Sequence, residues 1–351
     1  MKKKTLTIIT IFAVLLIMAS WFIYKIVGPV YQEMQAGKIP HYEIGEHLGA
    51  EKCGECHEEI YNQWSQNSAH AVATTNEPFL NFKDKFTGNF AFNAMMGESM
   101  CYACHGSKEI NEGVNCETCH GTVIPDDVSI EETHERKYSP GRARLKSQEF
   151  CAGCHTMKSP FSGDPILSLY FEWQKSEAAK RGITCQGCHM QPRGSDELYH
   201  GFDSVSRNID IYRDDLSLHD IELNFPRLIL TIKNHVLGHA IPAVGPSRIL
   251  VLEVSVLNSD GVEILSIVRT FGKYYELMPL MGIMPNKLIE NSQLQSGETR
   301  SLSFSLPAST KGRISKALFT LRFYDVSDDH QGDITKAHWI SEPFLTEEVN
   351  L

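Results

Sequence analysis

The feature that most constrains this chain is a short cysteine motif that occurs five times. All ten cysteines fall into pairs with the spacing C-x-x-C, and a histidine follows each pair directly. In chain order, the five motifs use Cys53 and Cys56 with His57, Cys101 and Cys104 with His105, Cys116 and Cys119 with His120, Cys151 and Cys154 with His155, and Cys185 and Cys188 with His189. Any fold for this chain must explain why one spacing is repeated.

The motif has the chemistry of covalent heme attachment. Two thiols one helical turn apart can each form a thioether with a vinyl group of one porphyrin, and the adjacent histidine can bind the iron as its proximal ligand. The sequence therefore predicts five covalently attached heme c groups.

Two other interpretations of paired cysteines are less consistent with the pattern. Zinc knuckles share the C-x-x-C spacing, but they do not require a histidine directly after every pair. A disulfide framework in an oxidising compartment would impose neither the constant spacing nor the constant following residue. Heme attachment accounts for both.

Residues 1–27 have the composition of an N-terminal membrane anchor. Met1 and three lysines precede an uncharged stretch from Thr5 to Tyr24, which is long enough to cross a bilayer once as a helix. The excess of lysine before it predicts a single-pass protein of the inner membrane, with its bulk in the periplasm. A cleaved signal peptide is the alternative, although the bulky Trp21 directly after Ala19 and Ser20 disfavours cleavage.

Residues 28–216 contain every motif and are predicted to form a pentaheme cytochrome c domain. Few long apolar periodic runs separate the motifs, so we expect short helices and irregular segments packed around heme. The clearest helical patterns cover residues 60–73 and 167–180. The second ends in Lys180, Arg181 and Gly182, as a helix C-terminus prefers.

The composition changes after residue 216. Segments rich in β-branched and aromatic residues, typical of strands, cover residues 221–233, 249–257, 262–270, 299–306 and 317–326. Asn258-Ser259-Asp260-Gly261 predicts a hairpin turn between the second and third of them. We therefore predict an antiparallel β-sandwich over residues 217–351, which makes the chain an α+β multidomain protein.

The ligand on the second face of each iron distinguishes an electron carrier from a catalyst. An electron-transfer heme is capped on both faces, whereas a catalytic heme keeps one position open. The candidate distal ligands are His70, His134, His200, His235 and His239. His239 is favoured over His235, and an exposed histidine is the alternative for His134, which lies in a polar acidic stretch.

Other possible axial ligands are weaker candidates. Met95, Met96 and Met100 precede the second motif, where packing against the porphyrin is favoured over binding iron. His330 and His338 are expected to be surface or core residues. The sequence does not decide whether His41, His47 and His219 bind heme iron.

Parts of the sequence resemble a known family. Cys53 to His57, followed by Tyr61, Trp64 and Ser68-Ala69-His70, resembles the opening of the family of the tetraheme cytochrome that accepts electrons from hydroxylamine oxidoreductase. The resemblance implies that His70 is a distal ligand. The surroundings of the third and fifth motifs are similar to internal motifs of related large multiheme cytochromes, and residues 234–245 resemble the entry to their appended β-domain.

The chain departs from these relatives in two ways. It has five motifs instead of four, so the sequence does not decide whether its hemes stack in the order typical of the family. No motif ends in lysine, unlike the catalytic heme motif of ammonia-forming nitrite reductases.

Charge and motifs together predict the function. The formal net charge is −10, and heme propionates would add to it, so nucleic acid is not an expected partner. We predict a membrane-anchored electron carrier of a respiratory chain, with mostly bis-histidine hemes, that exchanges electrons with redox partner proteins or a quinol-oxidising membrane complex. The alternatives are a multiheme oxidoreductase acting on hydroxylamine, nitrite or a sulfur oxyanion, an anchored quinol dehydrogenase, and a subunit that docks to a larger complex through its β-domain.

Overall fold

The structure is a computed structural model. Besides six separate residues between positions 14 and 25, it describes residues 49–90, 93, 98–106, 111–120, 145–159, 161–194, 198–203, 207, 209–243, 245, 247–277, 285–325, 334–337 and 339–351. The predicted anchor lies almost wholly outside them, although Val14, Ile17, Met18 and Trp21 are helical. In the part of the chain that is described, no helix is both long and apolar enough to cross a membrane.

Short helices dominate the region of the five motifs. Their bounds are α1 Ala50–Gly54, α2 Glu58–Asn67, α3 Glu77–Thr87, α4 Ser99–His105, α5 Cys116–His120, α6 Gln148–His155, α7 Leu169–Lys175, α8 Glu177–Lys180 and α9 Cys185–His189. A small hairpin of β1 Thr156–Lys158 and β2 Pro165–Ser168 lies between α6 and α7. The expectation of short helices in this region is confirmed.

The helix predicted over residues 60–73 is shorter than expected. It begins at Glu58 and ends at Asn67, because Ser68 adopts an extended backbone and its hydroxyl accepts the backbone N–H of His70 at 3.0 Å. A serine side chain that bonds to the nearby backbone competes with helical hydrogen bonding. The chain changes direction at Ser68, so the His70 ring contacts residues outside this helix.

The single helix predicted over residues 167–180 is wrong. The first two residues belong to β2, and Ser176 interrupts the helical run between α7 and α8. The backbone of Ser176 is extended, and its hydroxyl accepts the N–H of Ala179 at 3.3 Å, as an N-cap residue does. The expected glycine end is confirmed, since Gly182 has φ +71°.

Antiparallel strands form the C-terminal part of the chain. They are β3 Leu216–Asn224, β4 Arg227–Asn234, β5 Arg248–Leu257, β6 Glu263–Phe271, β7 Lys273–Leu277, β8 Pro285–Asn291, β9 Thr299–Ser305, β10 Lys316–Asp325, β11 Trp339–Ile340 and β12 Leu345–Asn350. One sheet has the order β11-β10-β5-β6, with β12 also paired to β10. A second sheet has the order β3-β4-β9, and β7 pairs with β8. The fold is therefore a mixture of helices and antiparallel sheets.

The two larger sheets share one hydrophobic core. Alternate residues of β4, β5 and β10 are fully or almost fully buried, and all of them belong to a single packed cluster: Leu228, Leu230, Ile232, Leu250, Leu252, Val254, Val256, Ala317, Phe319, Leu321 and Phe323. Strand residues that alternate in this way present one face of each sheet to the other.

Most predicted strands match the structure, with one correction. The run 221–233 is two strands and not one, because Phe225 and Pro226 form the turn between β3 and β4. Proline has no N–H to donate to a strand ladder, so it marks a strand end. The predicted turn at Asn258 is confirmed, since Gly261 has φ +75° and its N–H bonds to the Asn258 carbonyl at 3.0 Å.

The β7-β8 ribbon contacts the region of the motifs. The Tyr275 hydroxyl donates to the Pro165 carbonyl at 2.5 Å, and the backbone N–H of Leu288 donates to Asp164 Oδ2 at 2.8 Å. Ser159 and Asn286 are joined through their side chains at 2.9 Å. The sheets are thus joined to the β1-β2 hairpin by specific hydrogen bonds.

A core substitution tests the shared core. Phe319 on β10 has no exposed surface, so Phe319→Ala should lower the free energy of unfolding by about 3–5 kcal/mol. Val268→Ala on β6 is the control, because Val268 is 49% exposed and its truncation should cost under about 0.5 kcal/mol. Guanidinium unfolding followed by far-UV circular dichroism measures both, and equal losses would show that Phe319 is not part of a cooperative core.

Candidate heme-binding sites

Four of the five motifs have both cysteines on one short helix, which aligns the paired thiols, whereas in the first motif Cys53 lies on α1 and Cys56 in the turn after it. Two cysteines three positions apart on a helix point to the same side. In four motifs the histidine is the last helical residue, namely His105 of α4, His120 of α5, His155 of α6 and His189 of α9. In the first motif, His57 is instead the N-cap of α2. A histidine at a helix end can turn its ring away from the helix axis.

Three proximal histidines face a second histidine from a distant part of the chain. His155 faces His70 with ring centroids 6.1 Å apart, and His120 faces His200 at 6.2 Å. His189 faces His239 at 6.2 Å, with the two rings only 9° from parallel. His70, His200 and His239 are three of the predicted distal ligands.

This separation fits an iron between the two rings. An imidazole nitrogen binds a metal ion at about 2 Å, and the ring centroid lies roughly 1 Å behind that nitrogen, so two imidazoles on opposite sides of one ion have centroids about 6 Å apart. Each pair is also a site with two protein nitrogens, which suits heme because the porphyrin supplies the other four ligands of the iron.

Backbone carbonyls fix the orientation of several of these rings. The Nδ1 atoms of His105, His200 and His239 lie 3.0 Å, 2.7 Å and 3.1 Å from the carbonyls of Ala73, Leu198 and Ala240. When Nδ1 donates to a carbonyl, Nε2 is left as the metal-binding nitrogen. These three rings are therefore held in the tautomer whose Nε2 can bind a metal ion.

The environment of the histidines favours their neutral form. Burial, followed by the neighbouring His155, His189 and His105, lowers the pKa of His70 to about 3. Burial, followed by His239 and His155, lowers the pKa of His189 to about 4. A neutral imidazole is the species that binds a metal ion.

Contacts between attachment sulfurs define which motifs are neighbours. Cys53 hydrogen-bonds with Cys116, which raises the pKa of Cys116 and joins the first motif to the third. The same kind of bond raises the pKa of Cys151 through Cys185 and of Cys154 through Cys104, so the fourth motif adjoins both the fifth and the second. Cys119 of the third motif is close enough for its charge to act on Cys151 and Cys154. The fourth motif is a branch point.

Phe202 contacts two of the predicted distal ligands. Its ring centroid lies 4.7 Å from that of His70 and 6.2 Å from that of His200. Its φ of +42° is unusual for a bulky residue, and such strain persists only where the surroundings impose it. Sequence patterns did not single out Phe202, and its position two residues after His200 is the signal that could have done so.

The other candidates lie elsewhere or outside the described residues. His235 is exposed, and its Nε2 lies 2.9 Å from the Ser217 hydroxyl on β3. His219 lies on β3, 3.7 Å from Asp220. The positions or side chains of the remaining candidates are outside the described part of the chain: His134, His41, His47, His330, His338, Met95, Met96 and Met100.

Comparison with known proteins identifies the class of the chain. The family model described as "Cytochrome c554 and c-prime" matches residues 52–121, which contain the first three motifs. The chain is a multiheme c-type cytochrome. No curated protein matches this cytochrome.

The fold of this cytochrome is also found in a solved structure. The crystal structure of a penta-heme cytochrome c552 from Thermochromatium tepidum superposes with a TM-score of 0.64 and 18% identity, over 87% of this chain and 99% of that chain. At this identity the likeness concerns the fold. A structure from Bacteroides fragilis matches 39% of this chain and 16% of that chain at 13% identity, and its TM-score of 0.18 is too low to indicate a shared fold.

Proposed function

We propose that this cytochrome carries five heme c groups, most of them bound by two histidines, and transfers electrons between redox partners. The observation that carries the proposal is the set of three histidine pairs with ring centroids 6.1–6.2 Å apart. Bound heme would supply one-electron chemistry, and a histidine on each side of the iron would leave no position for a substrate. The penta-heme neighbour supports the same heme count here.

We further propose that the arrangement of the motifs sets the order of the bound hemes. The first motif adjoins the third, the third lies near the fourth, and the fourth contacts the second and the fifth. Hemes held by contacting motifs would be nearest neighbours. The first, second and fifth motifs are the ends of this branched arrangement and are the candidate positions for exchange with partners.

The proposed location and partners rest on the sequence. Three lysines before the uncharged stretch Thr5 to Tyr24 support a single-pass anchor in the inner membrane, with the hemes on the periplasmic side. A net charge of −10 supports docking to basic surfaces of redox proteins or of a quinol-oxidising membrane complex. The β-sheets are the proposed docking region for a larger complex.

Electron paramagnetic resonance of the fully oxidised protein tests the proposal. We expect heme quantification to give five hemes per chain and the spectrum to be dominated by low-spin ferric signals, because two histidines per iron produce a strong ligand field. The ferrous protein should react little with carbon monoxide. A high-spin signal with the intensity of one heme, together with carbon monoxide binding, would instead support an oxidoreductase with one open heme.

A further inference from the structure

A carboxylate of the motif region contacts the loop that carries His239, directly beside that histidine. The backbone N–H of Ala240, directly after His239, donates to Glu172 Oε2 at 3.0 Å. Glu172 lies on α7, far from the loop in sequence, and its side chain is only 14% exposed. A hydrogen bond to an ionised carboxylate is stronger than one between neutral groups. Glu172 thus fixes the backbone one residue from the ring that faces His189.

Glu172 is itself held by a buried lysine from the β7-β8 ribbon. Lys273 is 3% exposed, and its Nζ lies 3.6 Å from Glu172 Oε1. Ser168 hydrogen-bonds to both groups, since its hydroxyl donates to Glu172 Oε1 and accepts from Lys273 Nζ. A buried charge is tolerated when it is paired and hydrogen-bonded, so each of the two charges fixes the position of the other.

The far side of the loop is attached to the sheets. The backbones of Ile241 and Leu294 exchange two hydrogen bonds of 2.9 Å. The Asn234 side chain donates to the Leu294 carbonyl at 3.0 Å and accepts the N–H of Val236 at 2.9 Å. On the motif side, the backbone N–H of Ala178 on α8 donates to the Leu237 carbonyl at 3.2 Å, and the bond from Ala240 to Glu172 holds the part of the loop next to His239.

We infer that Glu172 is a positioning residue for His239, and that Lys273 holds Glu172 in the place where it does so. Groups that orient a metal ligand from the second shell control both the geometry and the basicity of that ligand. The inference rests on the proposed binding of one iron by His189 and His239. It adds that the hydrogen bond from Ala240 to Glu172, a side chain supported by Lys273 of the β7-β8 ribbon, determines whether that binding is complete.

The test compares four variants of the full-length holoprotein. Glu172→Ala removes the acceptor, Glu172→Gln keeps an acceptor oxygen in its place, and Glu172→Ala with Lys273→Met removes both charges and leaves no buried lysine unpaired. Glu177→Ala is the matched control, because Glu177 on α8 is 46% exposed and, among the described residues, its side chain pairs with the nearby surface residues Lys180 and Arg181. Electron paramagnetic resonance and amide hydrogen exchange at Ala240 are measured on each.

Both alanine variants at position 172 should lose part of one low-spin signal, gain the matching high-spin signal and leave the other hemes unchanged. Exchange of the Ala240 amide should become about tenfold faster, as expected for loss of a charge-assisted hydrogen bond. Glu172→Gln should keep the low-spin spectrum, and Glu177→Ala should match the parent protein. A general loss of structure would instead disturb all the heme signals.

A further variant, His239→Ala, distinguishes a failure of the positioning role of Glu172 from a failure of the proposed ligation by His239. If His239→Ala changes the spectrum but neither alanine variant at position 172 does, the positioning role is wrong and the histidine pair stands. If His239→Ala itself leaves the spectrum unchanged, the proposed ligation is wrong. An Ala240 amide that exchanges at the same rate in the parent protein and in Glu172→Ala would also overturn the inference.

Discussion

Replacing His239 with alanine is expected to convert one heme from low spin to high spin. The rings of His189 and His239 lie nearly parallel with centroids 6.2 Å apart, so removing one should leave the iron between them with a single histidine. With five hemes bound, about one fifth of the iron should become high-spin, and the ferrous protein should gain one site for carbon monoxide. Electron paramagnetic resonance and carbon monoxide titration measure both changes.

His235→Ala is the matched control for this experiment. It removes the same side chain four positions away, but His235 is exposed and contacts the Ser217 hydroxyl. Its spectrum should equal that of the parent protein. Added imidazole should restore the low-spin signal in the His239 variant by binding the vacated position. A high-spin heme in the His235 variant would show that His235, and not His239, is the ligand.

Replacing Gly113 with alanine should destabilise the protein and disturb the pair of His70 and His155. Gly113 has φ +71°, and a Cβ there would lie 2.1 Å from the His70 carbonyl oxygen and 2.9 Å from that of Ala71. Both are backbone atoms, which cannot move aside as a flexible side chain can. The His70 carbonyl also accepts the N–H of Val114 at 2.9 Å, so the segments on both sides would have to shift.

Gly182→Ala isolates the effect of this contact. Gly182 also has φ +71°, but a Cβ there meets nothing within 4 Å. Both variants carry the strain of a left-handed alanine, about 1–2 kcal/mol, and Gly113→Ala should lose about 1–3 kcal/mol more through overpacking. Guanidinium unfolding compares their stabilities, and the resonance spectrum reports the state of the pair. Equal unfolding midpoints, with an unchanged spectrum, would contradict the prediction.

The sequence predicted the proximal half of each site because that half is local. Cys185, Cys188 and His189 lie within one helical turn or so, and their spacing alone indicates heme attachment. Hydrophobic patterns likewise predicted β5, β6, β9 and β10 to within about two residues. Strands with many charged or exposed residues, such as β8 and β12, were missed because their burial depends on neighbours.

The distal half could not be derived in the same way. His70, His200 and His239 were candidates, but which proximal histidine each would face depends on the packing of segments far apart in the sequence. Nothing local to Glu172 or Lys273 indicates that the two meet beside Ala240. The helix break at Ser176 was missed because a favourable helical composition obscured a serine that caps the following turn.

The position of His239 in the chain has a consequence for how the protein matures. During synthesis the fifth motif is complete before the residues of β3 and β4, which lie between it and His239. Cys185 and Cys188 are therefore available for thioether formation while the chain beyond them is unfinished. In the proposed pairing with His189, the second imidazole would reach that site when the strands that support its loop have folded. A low-spin signal from the heme of the fifth motif would then indicate that the C-terminal sheets have assembled.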